Sequence, residues 1–289
     1  MHPVVLSNQD MQMTILPRLG GSVASLTYKG RDILRPMKEG SQNPADAALF
    51  VMLPYCGRIR NGAFSYWGII RKVPKTHPDF KDPIHGDGWV GAWRVAEQTD
   101  ARLALEYAHD KTKGFPFDYA ATLTYTLTDA GWDMEITIRN PSPLPMPCAM
   151  GVHPFFPKTK DVVLDFNSRV VWVNENDPIF DKPYPTPNEW DFGGGKVLKD
   201  AFNTVFGGFE QSAKIIYPDR DTLIEITTDD GFRHITLFAP KGKDFFCLEP
   251  WSATADAFNL AAAGVIGTGI RSIGPGQSIS GRVSFKIKG

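Results

Sequence analysis

Four short segments of this 289-residue chain set ionisable or hydrogen-bonding side chains into apolar, aromatic and turn-rich surroundings. In Leu53-Pro54-Tyr55-Cys56-Gly57-Arg58-Ile59-Arg60-Asn61-Gly62, two arginines stand at i and i+2. An extended backbone sends such a pair to one face, and guanidinium forks suit hydroxyls, carboxylates or phosphates. The same residues also read as a solvated edge leading into an Asn-Gly turn. In Pro83-Ile84-His85-Gly86-Asp87-Gly88-Trp89-Val90-Gly91-Ala92-Trp93, a histidine sits among glycines and tryptophans. It is either a titratable group beside a flat apolar wall, as a sugar site needs, or a structural turn over core tryptophans. Met150-Gly151-Val152-His153-Pro154-Phe155-Phe156-Pro157 embeds His153 in strand-like apolar sequence. A satisfied core histidine reads that way, and so does a proton donor working near neutral pH. Phe245-Phe246-Cys247-Leu248-Glu249-Pro250-Trp251 ends an apolar run on a carboxylate. Glu249 is then either an ion-pair partner or a base with a tuned proton affinity.

Other constructions are weaker. His85, His153 and Glu249 could offer nitrogen and oxygen ligands, but no His-x-His or His-x-x-x-His spacing points to a metal. There is no Gly-x-Ser-x-Gly elbow, and Gly193-Gly194-Gly195-Lys196 lacks the spacing of a phosphate loop. No cofactor or metal is expected. With 31 Lys+Arg against 32 Asp+Glu and no long basic run, nucleic-acid binding driven by net charge is excluded. No stretch approaches the roughly 18 apolar residues of a membrane span, and the N-terminus lacks the features of a signal peptide. Three scattered cysteines make no disulfide framework and read as small core hydrophobes. The expected location is therefore the cytoplasm.

The elements that must position these segments are short. Gly 27 and Pro 23 punctuate about a dozen period-2 runs, among them Met11 to Leu16, Ser22 to Tyr28, Leu103 to Tyr107, Tyr119 to Leu127, Trp132 to Ile138, Val170 to Val173, His234 to Phe238 and Val283 to Ile287. This pattern predicts an all-β protein of packed antiparallel sheets with few short helices. Helical spacing is confined to Ala45 to Met52, which could make two turns before Pro54, and to Val197 to Val205, which reads equally as a loop entering a strand. No linker, composition break or repeat divides the chain, so a single domain over 1–289 is expected.

Taken together and in order, the four segments resemble the aldose 1-epimerase (galactose mutarotase-like) family. Arg58-Ile59-Arg60-Asn61-Gly62, Ile84-His85-Gly86, Gly151-Val152-His153-Pro154-Phe155-Phe156, Lys199-Asp200-Ala201-Phe202, Glu249-Pro250-Trp251 and Ala257-Phe258-Asn259 match its usual elements, as do Gly20-Gly21 and Gly274-Pro275-Gly276-Gln277. The resemblance implies a large antiparallel β-supersandwich and cofactor-free interconversion of the α and β anomers of a free aldose. It implies Glu249 as the base that takes the anomeric hydroxyl proton and His153 as the acid that protonates the ring oxygen. It further implies His85 beside the ring oxygen or anomeric hydroxyl, and Arg58 and Asp200 on sugar hydroxyls. Its alternatives are a hexose-phosphate 1-epimerase or a non-catalytic carbohydrate-binding protein. The implied partner is a small-molecule sugar, with no nucleic acid and no membrane, bound by a monomer or homodimer. The family often has Asn immediately before the first arginine. Gly57 stands there, so one hydrogen bond to the sugar is expected to be missing or supplied by another residue.

Overall fold

The structure, a computed structural model, describes residues 3–172, 181–199 and 201–289. Among them two large antiparallel sheets dominate. The first runs in the order Val4–Ser7, Met11–Leu16, Ser22–Tyr28, Leu49–Met52, Gly151–Pro157, Phe245–Trp251, His234–Ala239, Phe202–Gly207, Val170–Trp172 and Pro183–Pro185, with Arg31–Asp32 paired to Ser22–Tyr28. The second runs Lys196–Val197, Val163–Phe166, Ser212–Tyr217, Thr222–Thr228, Ser278–Lys288, Gly131–Arg139, Tyr119–Thr128, Arg102–His109 and Arg94–Gln98. A hairpin, Ala63–Tyr66 with Ile69–Lys72, and a two-stranded pairing of Met146–Cys148 with Arg271–Ile273 add to these sheets, which bears out the all-β expectation.

The sequence explains the two sheets differently. Tyr119–Thr128 alternates buried and partly exposed residues along its whole length, as expected of a strand with one face on the core and one in water. In the middle of the first sheet both faces are covered. Val51, Val152, Phe156, Phe246, Leu248, Leu237 and Ile235 pack toward the second sheet, in the main core. The residues between them, Phe50, Phe155, Cys247 and Trp251, join a separate apolar cluster on the opposite face. Each large side chain buried in the inter-sheet layer contributes about 1.5–3 kcal/mol, so that layer holds the strands in place while the opposite face carries the polar groups.

One helical expectation is corrected, and one open reading resolves to its loop-and-strand form. Ala45 to Met52 forms no two-turn helix: a single turn over Pro44–Asp46, capped by the Asn43 side chain, leads into the fully buried strand Leu49–Met52. The apolar pattern there serves a strand with two buried faces, which periodicity alone does not distinguish from a helix. The described residues of Val197 to Val205 form a loop entering a strand: Lys196–Val197 pairs briefly, Leu198, Lys199 and Ala201 are irregular, and Phe202–Gly207 is strand. The α-helix that does form is Ala257–Ala262. The run ending at Val173 stops at Trp172 within the described residues, and Asp200 lies outside them. Among the described residues no helix is long and apolar enough to cross a membrane. The three cysteines are free and buried, as expected.

Strand register determines which residues share a row on the polar-bearing face. His153 pairs with Phe50, and the register between Gly151↔Trp251 and Phe155↔Cys247 sets His153 opposite Glu249. Glu249 pairs in turn with Thr236, and Thr236 with Val205. Phe50, His153, Glu249, Thr236 and Val205 thus form one continuous row across five strands. The adjacent row is Phe155, Cys247, Phe238 and Asn203.

Candidate active site

This row floors a cavity of about 450 Å³. His153 and Glu249 both line it, with residue exposures of only 7% and 1% because they lie at its bottom. Their facing atoms, Nε2 and Oε1, are 3.3 Å apart. The His153 ring packs against Phe50 (centroids 4.4 Å apart) and Phe155 (4.7 Å), and its Nδ1 is buried without a hydrogen-bond partner among the described residues. Burial against these two phenyl rings holds the imidazole down to about 3, with the Arg35 charge acting in the same direction. Burial also pushes the Glu249 carboxyl well above the carboxylate range, against the lowering effect of a 2.8 Å bond donated by Trp251 Nε1 to Oε2. Both groups are therefore driven toward their neutral forms, with Nε2 and Oε1 facing each other.

His85 reaches the same cavity from a loop of unusual backbone. Its φ is 60°, a left-handed conformation that costs a non-glycine residue about 1–2 kcal/mol. Backbone bonds hold it there: His85 N–H to Gly57 O at 2.8 Å, Leu53 N–H to His85 O at 3.2 Å and Gly88 N–H to Leu53 O at 3.1 Å. Gly86 follows with φ 70°, and a Cβ on it would stand 1.7 Å from the Leu53 carbonyl oxygen, so no other residue fits. Gly57 N–H donates to His85 Nδ1 at 3.2 Å. The second nitrogen, Nε2, then carries the ring proton, and the neutral ring is a donor. Burial, with His153 and Arg58 nearby, keeps it neutral by holding its pKa well below the usual value.

Arg58 lines the cavity with its guanidinium over Phe80, 5.2 Å from the ring centroid. Arg60 does not share its face. The chain leaves extended geometry at the turn Arg60–Gly62, and Arg60 meets Asp181 at 3.1 Å and Asp256 at 3.8 Å. The Gly57 departure has a packing reason. At φ 64° its Cβ position would lie 2.7 Å from Ala255 Cβ and 3.1 Å from the Trp251 ring, which leaves no room for an asparagine. Asn259 of the Ala257-Phe258-Asn259 piece bonds Asp256 and the Ala63 carbonyl, a structural role.

Of the five residues the sequence singled out, His153, Glu249, His85 and Arg58 converge on the cavity; Asp200 is outside the described residues. Sequence reasoning missed Arg35, Asp46, Asn203, Thr236 and Lys243, which also line it. Thr236 was within reach, because the strand starting at His234 gives it the parity of a face residue. Its hydroxyl, 4% exposed as a residue and adjacent to Glu249 in the row, has no hydrogen-bond partner among the described residues. Arg35 stacks over Phe155 at 4.2 Å and Phe245 at 4.9 Å while bonding the Asp46 and Ala47 carbonyls. His153, Cys247 and Glu249 present three donor atoms within 4.8 Å of one another, but two of them belong to the facing His153–Glu249 pair.

The chain resembles known proteins along nearly its whole length. It is 23% identical over 303 residues to the uncharacterized protein YphB of Escherichia coli K12, covering 98% of each. It is 29% identical over 266 residues to YihR of the same organism, covering 89% of this chain and 85% of YihR. A solved Escherichia coli K12 structure, a candidate aldose 1-epimerase, superposes with a TM-score of 0.91 at 24% identity over 99% of both chains, a likeness of fold. The sequence pattern of the aldose 1-epimerase family matches residues 3–286, and with that span the chain belongs to the aldose 1-epimerase family.

Proposed function

We propose that the protein is an aldose 1-epimerase that interconverts the α and β anomers of a hexose or related aldose, with Glu249 as base and His153 as acid. The observation that carries this reading is the His153–Glu249 pair, 3.3 Å apart on the floor of an aromatic-walled, sugar-sized cavity. The reaction asks for a donor and an acceptor aimed at two oxygens on one carbon, the ring oxygen and the anomeric hydroxyl oxygen. A pair holding one proton provides both, and moving that proton from Oε1 to Nε2 gives a carboxylate and an imidazolium without exchange with solvent. The Trp251 N–H on Oε2 stabilises the carboxylate so formed.

In the forward direction Glu249 removes the anomeric hydroxyl proton while His153 protonates the ring oxygen. The C1–O5 bond breaks, leaving an aldehyde and a hydroxyl. The aldehyde rotates and presents its other face; the hydroxyl closes on it with both proton transfers reversed, and the pair returns to its starting state. His85 Nε2–H donates a hydrogen bond toward the same oxygens, and Arg58 holds a hydroxyl. Acid–base assistance of this kind supplies about 100- to 10,000-fold; the remainder comes from holding the open chain against Trp89, Trp251 and Phe80 so that it recloses.

A panel of anomerically pure sugars, followed by polarimetry or NMR, tests the reading. Acceleration over the spontaneous rate is expected, with strong loss in folded His153→Asn and Glu249→Gln. Near-wild-type rates in both variants would defeat it. Saturable sugar binding without acceleration would instead mark a binding protein. A second reading, a sugar carrying an anionic group, is favoured by Arg35, Arg58 and Lys243 around the cavity; a lower KM for phosphorylated than for free sugars in the same panel is its expected sign.

A further inference from the structure

A second imidazole–carboxylate pair lies under the His85 loop. Asp87, two residues after His85, is gripped from the second sheet. Tyr119 donates its hydroxyl to Oδ1 at 2.6 Å, Tyr107 donates to Oδ2 at 3.0 Å, and His109 Nδ1 is in direct contact with Oδ2. The other ring nitrogen of His109, Nε2, meets the Phe115 carbonyl oxygen at 2.8 Å. Both nitrogens therefore face groups with no proton to give. A neutral imidazole has one N–H and would press a lone pair against one of these acceptors; only the imidazolium satisfies both. The ring is buried, 6% exposed, with Tyr119 stacked on it at 5.0 Å.

The same loop carries the cavity wall. The Asp87 carbonyl accepts the N–H groups of Val90 and Gly91, and Trp89, inside that turn, bonds the Ile84 and Gly86 carbonyls through Nε1. Trp89 in turn packs edge-on to His85 at 6.1 Å. Asp87 thus ties the segment bearing His85 and Trp89 to the second sheet by hydrogen bonds, beside the apolar contact of Trp93 on Tyr107.

We propose that Asp87 and a charged His109 form a positioning pair that fixes the His85 loop, so that its ring N–H stays aimed into the cavity. This inference rests on the epimerase reading for its effect on turnover, but not for its effect on His85. The groups facing His109 are Asp87, Tyr107 and Tyr119, with Asp118 also contributing to its field. Burial opposes the charged ring, yet the bond to and charge of Asp87, with the Phe115 carbonyl and Asp118, raise its pKa above the usual histidine value. Burial and Asp87 together keep both tyrosines protonated as donors.

Nitrogen-15 NMR of histidine-labelled full-length protein tests the pair. At pH 6 both His109 nitrogens are expected to be protonated, and the ring to titrate above 6.5, while His85 and His153 remain neutral. In His109→Gln and Asp87→Asn, the His85 resonances are expected to shift or broaden in a chain that remains folded. Turnover should fall by tens to about 100-fold, the scale of a misplacement near 1 Å. The alkaline fall in wild-type kcat should track the His109 titration and be absent in His109→Gln. A single protonated His109 nitrogen at pH 6, or His85 signals unmoved in both folded variants, would overturn the proposal. If the protein proves to have no epimerase activity, the His85 resonances still decide it; if these variants do not fold, the wild-type protonation state does.

Discussion

The molecule holds two histidine–carboxylate pairs, each with a buried imidazole, in opposite protonation states. At His153–Glu249, burial finds little to oppose it. The carboxyl receives one hydrogen bond from another residue, Trp251 N–H, and Nδ1 of the imidazole has no partner among the described residues, so both groups are driven to neutrality. At Asp87–His109, the carboxylate is only half-buried, three donors converge on it and two acceptors on the ring, and the buried ring keeps its charge. Depth and the dipoles oriented toward a pair set its charge together: deeper burial of the carboxyl with one donor leaves the first pair neutral, shallower burial with three donors keeps the second charged. A neutral pair can exchange a proton with a substrate, whereas a fully bonded ion pair is rigid and suits an anchor.

The largest test removes the exchangeable pair entirely. His153→Asn/Glu249→Gln should slow anomer interconversion by about 100- to 10,000-fold, and by little more than either single change, because the two act as a unit. A loss equal to the product of the single losses, measured by polarimetry, would show that they act independently.

The next test separates anchor from reactive pair by stability. Asp87→Ala leaves a buried imidazolium without its partner and should cost about 3–5 kcal/mol in urea unfolding. Glu249→Gln should cost less than half of that. The pH dependence has opposite signs at the two histidines. His109 has a raised folded pKa, so its contribution is complete below its unfolded pKa of about 6.5 and is lost as pH rises through the folded value. His153, held at about 3 when folded, protonates more readily unfolded, so its effect lowers stability as pH falls from about 6.5 toward 3. Urea midpoints across pH should therefore lose their alkaline slope in His109→Gln and part of their acid slope in His153→Asn.

The smallest expected effect belongs to a pair in water. Lys214 and Asp165 stand 3.2 Å apart with side chains 44% and 25% exposed. Lys214→Met should change unfolding free energy by about 0–1 kcal/mol, and less in added salt. A larger loss would mean that a single exposed partner can stabilise as much as several buried ones.

Most of the second sheet was legible because its strands alternate: Tyr119–Thr128 and Gly131–Arg139 announce themselves by period 2. The centre of the first sheet was harder for a physical reason. Leu49–Met52 is buried on both faces and carries no alternation, so it read as a helix. The site was legible where an ionisable residue broke an apolar run, as His153 and Glu249 do. It was not legible at Asp87 and His109, which are ordinary polar residues in a turn and at a strand end until two strands and a loop bring them together.

Composition and local pattern alone determined an all-β chain without net basic charge, and the residue types able to donate and accept a proton. Which of them meet was decided by strand register. A shift of one position along Phe245–Trp251 would turn Glu249 into the inter-sheet core and leave His153 facing an apolar side chain. The charge of each pair was likewise decided only in three dimensions, because it depends on burial and on which donors and acceptors the folded chain aims at each group.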